Sequence, residues 1–283
     1  WAKLEQDDIT LREACGNTVR NITASAEAGI DPNEPFDVSP YAHELFSYFL
    51  RKPFGQELGR KIKIAFSNND KDTAVTYIHE SCFIPKLNEA GERGFKVLIG
   101  GGLGAQPFLA QTAHEFLPEN QLVPFVEATI RVFDRHGERV SRHKARIKYL
   151  IHKIGVTEFL KLVDEEQKAV LNKTYLIDLN AVKFSIPVNS VKKEEPVISN
   201  RLEYNNWLST NTFEQKQSGF YGVYIKVLLG NISSATARKL AKIINAYASS
   251  EDVRLTINQG ILLKFVTKDA LPYLFNELSK LKL

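Results

Sequence analysis

The chain contains no methionine, only two cysteines and no apolar run long enough to span a membrane. A translation product starts with methionine, so a 283-residue chain that begins at Trp1 is expected to be a fragment or a processed piece. Two cysteines without a signal peptide argue against a disulfide framework. The default expectation is therefore a cytoplasmic protein.

The chain also lacks an excess of one charge sign. Its 37 lysines and arginines nearly balance 33 aspartates and glutamates, which leaves a net charge of +4. This balance predicts no nucleic-acid partner and no membrane partner. The hydrophobic share of 43% and the charged share of 25% are typical of a globular protein, and the length is sufficient for two domains.

Common catalytic and metal-binding signatures are missing. Cys15 and Cys82 are far apart and outside any C-x-x-C, so they cannot supply the four thiolates of an iron–sulfur cluster. The six histidines show no H-E-x-x-H spacing, and each is expected to be a surface or packing residue. No metal site is predicted. Covalent hydrolase chemistry has no support, since no G-x-S-x-G, P-loop or kinase signature occurs.

The pattern of elements predicts an α+β protein with two units. Residues 1–176 carry the basic and glycine-rich features, residues 177–200 form a connection with a polar stretch at 188–196, and residues 201–283 form the second unit. In the second unit we predict strands at 220–229, 253–257 and 261–266 and helices after Ser233 or Ser234 and at 269–280. This β-α-β-β-α order is most of a ferredoxin-like split βαβ unit.

A strictly alternating segment, residues 61–66, predicts a strand with Lys61 and Lys63 on one face. One interpretation is a half-buried strand with two solvated lysines. The other is that both ammonium groups point at one anionic ligand. Arg20 has the same two interpretations, surface charge or anion ligand.

The glycine run at 100–104 follows a predicted strand, 95–99, and precedes a predicted helix, 107–116. Gly100, Gly102 and Ala105 satisfy the loose dinucleotide fingerprint G-x-G-x-x-A. The acidic candidate Glu119 lies in a turn, so this signal is weak. The alternatives are a backbone cradle that approaches a large flat cofactor and a simple tight turn.

A basic segment, residues 138–151, is predicted to be helical, with Arg142 and Arg146 on one face and Lys148 on a neighbouring one. A solvated basic face is the common explanation for such a run. Binding of ligand carboxylates is the specific one.

Together, these motifs resemble the sirohaem- and [4Fe–4S]-containing nitrite and sulfite reductases. The matching segments, in family order, are residues 14–21 (Ala-Cys-Gly-Asn-Thr-Val-Arg-Asn), 60–63, 94–104 and 142–149, with further likeness at 154–159 and 255–263. The resemblance covers nearly the whole chain. It implies a sirohaem-binding α/β domain followed by a ferredoxin-like half-domain.

The resemblance also implies an activity: six-electron reduction of nitrite to ammonia or of sulfite to sulfide, with ferredoxin or a flavoprotein as electron donor. Both substrates and both donors stay open. By motif position, Arg20, Lys61 and Lys63 are expected to bind substrate and deliver protons. The residues expected to bind sirohaem, which carries eight carboxylates, are Asn17, Asn21, Gly100, Gly101, Gly102, Gly104, Arg142, Arg146, Lys148, Asn258 and Gln259.

The chain departs from the family at both ends. The cysteines that bind the [4Fe–4S] cluster in the family lie downstream of a region like 200–283, and a first ferredoxin-like half-domain would precede Trp1. We therefore expect that this chain alone cannot hold the cluster. Two alternatives stay open: a tetrapyrrole- or anion-binding relative without catalysis, and a nicotinamide-dependent oxidoreductase built on the glycine run.

Overall fold

A computed structural model of the chain describes residues 2–7, 15–50, 52–183, 196–248 and 252–283. Two compact units are present, the first formed by residues 1–24 and 38–182, the second by residues 25–37 and 183–283. Both combine sheets with helices, which confirms the α+β class. Most of the predicted polar connection at 188–196, and Ala14 of the first motif, lie outside the described residues.

The first unit contains a five-stranded sheet in the order β1-β2-β3-β4-β5. β1, β2 and β3 are parallel, whereas β4 and β5 continue the sheet antiparallel. The strands are β1 (Val19–Ala24), β2 (Ile62–Phe66), β3 (Ser81–Leu87), β4 (Arg93–Ile99) and β5 (Gln111–Pro118). The helices are α1 (Ala2–Glu5), α2 (Ser39–Phe49), α3 (Leu122–His136), α4 (Ile147–Ile154) and α5 (Val156–Gln167).

The core of this unit is built on three phenylalanines from adjacent strands. Phe66 of β2 stacks on Phe83 of β3 with ring centroids 5.0 Å apart, and Phe95 of β4 meets both rings edge-on at 5.8 and 5.9 Å. All three side chains are fully buried. The strand predicted from alternation is confirmed, because Ile62, Ile64 and Phe66 are buried while Lys63 stays partly exposed.

One predicted helix is wrong, and another begins later than expected. Residues 111–118 form strand β5, which pairs antiparallel with β4 (Leu117 opposite Phe95), so a strand returns where residues 107–116 were expected to be helical. In the basic segment, the carboxylate of Glu138 accepts hydrogen bonds from the backbone N–H groups of Val140 (2.6 Å) and Ser141 (3.0 Å). These bonds stabilise a turn, and α4 begins only at Ile147.

Arg142 and Arg146 consequently do not share a helix face. Arg142 lies in a 3₁₀ turn (Arg142–Lys144), and Arg146 is extended, with φ −75° and ψ 150°.

The second unit contains a four-stranded sheet in the order β6-β7-β9-β8. Its strands are β6 (Thr212–Glu214), β7 (Phe220–Ile225), β8 (Arg254–Leu255) and β9 (Ile261–Thr267), and its helices are α6 (Arg201–Asn211), α7 (Ser234–Tyr247) and α8 (Leu271–Leu281). The β7-α7-β8-β9-α8 order confirms the predicted half-domain. Ser233 caps α7, since its hydroxyl accepts a hydrogen bond from Thr236 N at 3.1 Å. The strand expected at 253–257 shortens to two residues, and that expected at 220–229 ends at Ile225.

The core of the second unit packs α7 and α8 onto β9, with Leu240, Leu263 and Leu274 among its buried residues. Residues 25–37 join this unit through backbone contacts: Lys216 N donates to Ile30 O at 2.9 Å, and the Gln217 side chain donates to Gly29 O at 2.8 Å. Among the residues described in both units, no helix is long and apolar enough to cross a membrane.

Candidate active site

Residues in or directly next to four strands of the first unit form one row, called here the four-strand row. Asn21 of β1 lies opposite Lys63 of β2 in the parallel register. The next residues in the row are Glu80, whose N–H donates to Lys63 O at 3.2 Å, and Gly100, whose N–H donates to Glu80 O at 2.9 Å. The fold therefore brings together the first motif, the lysine strand and the glycine run, which are separate in sequence.

Glu80 is the acidic centre of this row. Its side chain is fully buried, and its carboxylate accepts hydrogen bonds from Arg146 Nε at 2.7 Å and from the backbone N–H of Lys63 at 3.1 Å. Sequence reasoning missed Glu80. Its only signal was an isolated acid directly before a buried apolar strand. One of the predicted ligand-binding cations, Arg146, is thereby neutralised by the protein itself.

Arg146 and Lys148 both bind the backbone of the glycine-rich loop. Arg146 Nη1 donates to Leu103 O at 2.7 Å, and Lys148 Nζ contacts the carbonyl oxygens of Gly102 (3.3 Å), Leu103 (3.2 Å) and Gln106 (2.5 Å). Lys148 is buried, and burial, followed by the charge of Arg146, lowers its pKa. These two cations therefore hold the loop in place through direct contacts.

The glycines of the loop are needed for different reasons. A Cβ on Gly101 would lie 2.4 Å from Tyr77 O, and a Cβ on Gly102 would lie 2.5 Å from Arg146 Nη2. Gly100 and Gly104 have positive φ angles of 82° and 119°. A Cβ on Gly104 would meet nothing within 4 Å, so this side of the loop is open.

The loop connects antiparallel strands rather than a βαβ unit. The strand β4 leads into the loop, and the antiparallel β5 follows. The dinucleotide fingerprint requires a helix at that point. The nicotinamide hypothesis therefore loses its structural support.

Lys61 and Lys63 are two further cations of the site. In the part of the chain that the structure describes, neither ammonium group forms a hydrogen bond or an ion pair. Burial lowers the pKa of Lys61, and the nearby charges of Lys63, Arg20 and Arg146 lower it further. Arg20 donates to the carbonyl oxygens of Cys15 (2.7 Å) and Gly16 (3.0 Å). The arrangement leaves an excess of positive charge suited to an anion.

His79 is a second residue that the sequence interpretation missed as part of the site. Its Nδ1 lies 3.1 Å from Val75 O, and Lys63 and Glu80 are its charged neighbours. Burial is the main cause that lowers the pKa of His79. Val75 has a positive φ of 50°, a strained conformation for a β-branched residue.

The remaining predicted residues are spread over both units. Asn17 is half-buried and accepts a backbone hydrogen bond from Leu58 N at 2.8 Å, while Arg142 is exposed. Asn258 and Gln259 belong to the second unit, where they form the turn before β9; the φ angle of Gln259 is 63°.

A metal-ligand set is absent from the described ranges, where no three His, Cys, Asp or Glu side chains are grouped to hold an ion. Cys15 is exposed. Cys82 is buried, and burial raises the pKa of its thiol well above the usual value.

Two family models match the chain. One, described as the nitrite and sulphite reductase 4Fe-4S domain, matches residues 15–171, and the other, described as the nitrite/sulfite reductase ferredoxin-like half domain, matches residues 213–281. The chain belongs to the nitrite and sulphite reductase family. The first match contains the whole four-strand row and the glycine loop of this family member.

Known relatives agree with this membership. The chain is 31% identical over 166 residues to "Sulfite reductase [ferredoxin] 1" of Mycolicibacterium paratuberculosis, covering 59% of the chain and 30% of that protein. It is 26% identical over 275 residues to the chloroplastic ferredoxin–nitrite reductase of Zea mays, covering 95% and 44%. The solved structure of Mycobacterium tuberculosis NirA matches with a TM-score of 0.75 and 25% identity, covering 99% and 47%. The chain spans less than half the length of these reductases.

Proposed function

We propose that the intact protein is a sirohaem- and [4Fe–4S]-dependent reductase of nitrite or sulfite, and that this chain supplies its sirohaem-binding domain and one ferredoxin-like half-domain. Family membership and the reductase names of the relatives support the reaction class. The observation that carries the proposal is the set of cations formed by Arg20, Lys61 and Lys63 beside the open glycine loop.

The residues present fit a flat polyanionic cofactor. The open side of Gly104 permits close approach of a planar ring, and Lys61 and Lys63 are available for carboxylates or for an anionic substrate. Asn17, Asn21, Arg142 and the loop glycines would line this cofactor. A cofactor-binding role of Asn258 and Gln259 stays a prediction. We assign Arg146 and Lys148 to holding the loop, because their polar groups already bind its carbonyls.

When bound, the sirohaem iron would hold the substrate and receive the electrons. The chain's own cations would bind the oxyanion and stabilise negative charge as oxygen leaves as water. Lys61 is suited to donate protons, because its lowered pKa makes the ammonium group a stronger acid. Arg20 is oriented by the carbonyls of Cys15 and Gly16.

The rest of the intact protein would supply the cluster ligands. A ferredoxin is the electron donor that the names of the relatives favour, with a flavoprotein as the other candidate. A cytoplasmic location is the proposal that the low cysteine count supports.

The test uses Lys63→Gln in the intact protein, with absorption spectra and rates for both nitrite and sulfite under reduced donor. We expect turnover to fall about 100-fold or more, with unchanged sirohaem content, and the faster substrate of the unsubstituted protein identifies the enzyme. Lys96→Gln is the control, since Lys96 forms an ion pair with the exposed Glu115 at 3.1 Å in the same sheet.

Two outcomes would contradict the proposal. Loss of sirohaem in Lys63→Gln with normal activity per haem would remove the substrate role. An intact protein that takes up no sirohaem would favour a non-catalytic, anion-binding relative.

A further inference from the structure

A ligand-sized cavity is present in the first unit, away from the candidate active site. Its volume is about 640 Å³, and it lies between the end of α3, the middle and last turn of α4 and the segment after the glycine loop. None of the candidate active-site residues lines it. The volume is within the range of small-molecule sites.

One wall of the cavity is aromatic. Phe108 and Tyr149 meet edge-on with ring centroids 5.9 Å apart, and the His152 imidazole lies 4.9 Å from the Phe108 ring. The buried ammonium of Lys148 lies 5.2 Å from the Phe108 ring and 5.0 Å from the Tyr149 ring. Lys148, which does not line the cavity, thus holds both rings through cation–π contacts. The rings are therefore fixed in position to contact a planar group.

The rim of the cavity carries positive charge. Lys144 and Lys153 line it, and across the described ranges neither forms an ion pair or a side-chain hydrogen bond. His136 and His152 add two further hydrogen-bonding groups. The rim is therefore suited to an acidic ligand group.

Besides the two lysines, the lining contains the acid Glu138 and the cation Arg139. The carboxylate of Glu138 accepts the hydrogen bonds of the turn after it, and Arg139 forms an ion pair with Asp134. Two lysines consequently face a single acid, Glu138, whose Oε1 accepts both backbone N–H groups and whose negative charge also acts on Lys153. The balance of charge in the cavity favours an anion over a cation.

We propose that this cavity binds a planar aromatic ligand that carries a phosphate or carboxylate group. The ring would lie against Phe108 and Tyr149, and the acidic group would meet Lys144 and Lys153. Lys148 contacts both rings and the loop carbonyls, so a ligand in the cavity would also change the surroundings of residues 102–106. The proposal is independent of the reaction at the candidate active site.

The test is calorimetric titration of the intact protein with two matched pairs of probes: AMP against adenosine, and nicotinate against nicotinamide. We expect AMP, nicotinate or both to bind with a Kd below about 1 mM, and each uncharged partner at least about tenfold more weakly. The comparison between phosphate and carboxylate tells which acidic group the cavity prefers.

Variants locate the site. The double change Lys144→Gln and Lys153→Gln is expected to weaken the charged probe about tenfold or more. Lys161→Gln with Lys168→Gln removes the same charge from exposed positions of α5 and beyond its end, and it should leave binding unchanged. Hydrogen exchange should slow at residues 106–109 and 149–153 when the charged probe is bound.

Three results would overturn the assignment: no charged probe binding below 1 mM, equal loss of affinity in both double variants, or protection confined to other parts of the protein. Equal loss in both variants would identify general charge attraction rather than a cavity.

Discussion

Arg146 Nε lies 2.7 Å from Oε1 of Glu80, a carboxylate that is fully buried. The same guanidinium donates to Leu103 O, so one side chain connects the residue before β3 to the glycine loop. A buried acid among several cations determines which of these cations form an ion pair within the protein. In this site it engages Arg146, whereas Lys61 and Lys63 form no ion pair in the described part of the chain.

Replacing Glu80 with glutamine is expected to destabilise the first unit by about 3 kcal/mol. The substitution preserves shape but leaves the Arg146 guanidinium without its buried counter-charge. Urea unfolding of the intact protein measures the loss. Glu115→Gln is the control, because the carboxylate of Glu115 is 77% exposed in its pair with Lys96 and should change stability by less than about 0.5 kcal/mol. Equal effects of the two substitutions would show that the buried pair has no special role.

The loss of stability caused by alanine substitutions in the glycine loop should depend on which atoms the new Cβ meets. At Gly101 it meets backbone oxygens of Tyr77 and His79 at 2.4 and 2.5 Å, which cannot move without disturbing the 3₁₀ turn before β3. At Gly102 it meets the end of the Arg146 side chain, which can yield at the expense of its hydrogen bonds. We expect a loss of about 3 kcal/mol for Gly101→Ala and about 1 kcal/mol for Gly102→Ala.

Gly55→Ala serves as the control for this series. Its Cβ would lie 3.7 Å from the nearest atom, an ordinary contact, so its thermal midpoint should stay within about 2 °C of the unsubstituted protein. A midpoint for Gly101→Ala as high as that of the control would contradict the close packing of the loop.

Local patterns predicted local structure. The alternation of residues 61–66 and the serine before α7 each specify an element through neighbours in sequence, and both predictions are confirmed. The helix expected at 107–116 is wrong because pairing with β4 outweighs the local pattern of this segment. The helix expected at 138–151 begins only at Ile147, because local hydrogen bonds to Glu138 stabilise a turn before it.

Long-range relations in the site were not predictable in this way. Glu80 and Arg146 are 66 residues apart, and nothing near either residue indicates the other. The motifs predicted Arg146 and Lys148 as cofactor-binding cations, but not that both bind the protein's own loop. Likewise, the membership of residues 25–37 in the second unit depends on contacts with residues near 216 and 254.

Lys264→Met is expected to stabilise the second unit at neutral pH. Lys264 is fully buried in an ion pair with Asp252, and burial, followed by the charge of Arg254, lowers its pKa to about 8. Because the folded pKa is below the ordinary 10.5, stability from this group is lost as pH falls through about 8. Methionine removes the buried charge, and Arg254 still pairs with Asp252 at 3.2 Å.

Hydrogen exchange of β9 amides in the intact protein measures this effect. The gain should be about 2–3 kcal/mol at pH 7 and should vanish near pH 11. Lys268→Met, a change at the 3₁₀ turn after β9, is the control for loss of a lysine charge. A destabilised Lys264→Met variant at pH 7 would show that the ion pair outweighs the cost of burial.

Glu34 should make the second unit less stable as pH rises from 4.5 to 7. Its side chain is 1% exposed, and burial raises its pKa to about 7 despite the ion pair with Lys216 and the hydrogen bond from Gly29 N. An acid whose folded pKa lies above its unfolded value stabilises the fold when protonated, and this contribution disappears as pH passes through 7. Glu34→Gln keeps an acceptor for Gly29 N and carries no charge at any pH. We therefore expect the stability of β7, measured by hydrogen exchange, to be independent of pH across this interval in the variant, with a gain of up to about 3 kcal/mol above pH 7.

Glu214→Gln, a change at an exposed carboxylate of β6, should retain the pH dependence of the unsubstituted protein. If Glu34→Gln also retained it, the titrating group would lie elsewhere in the unit.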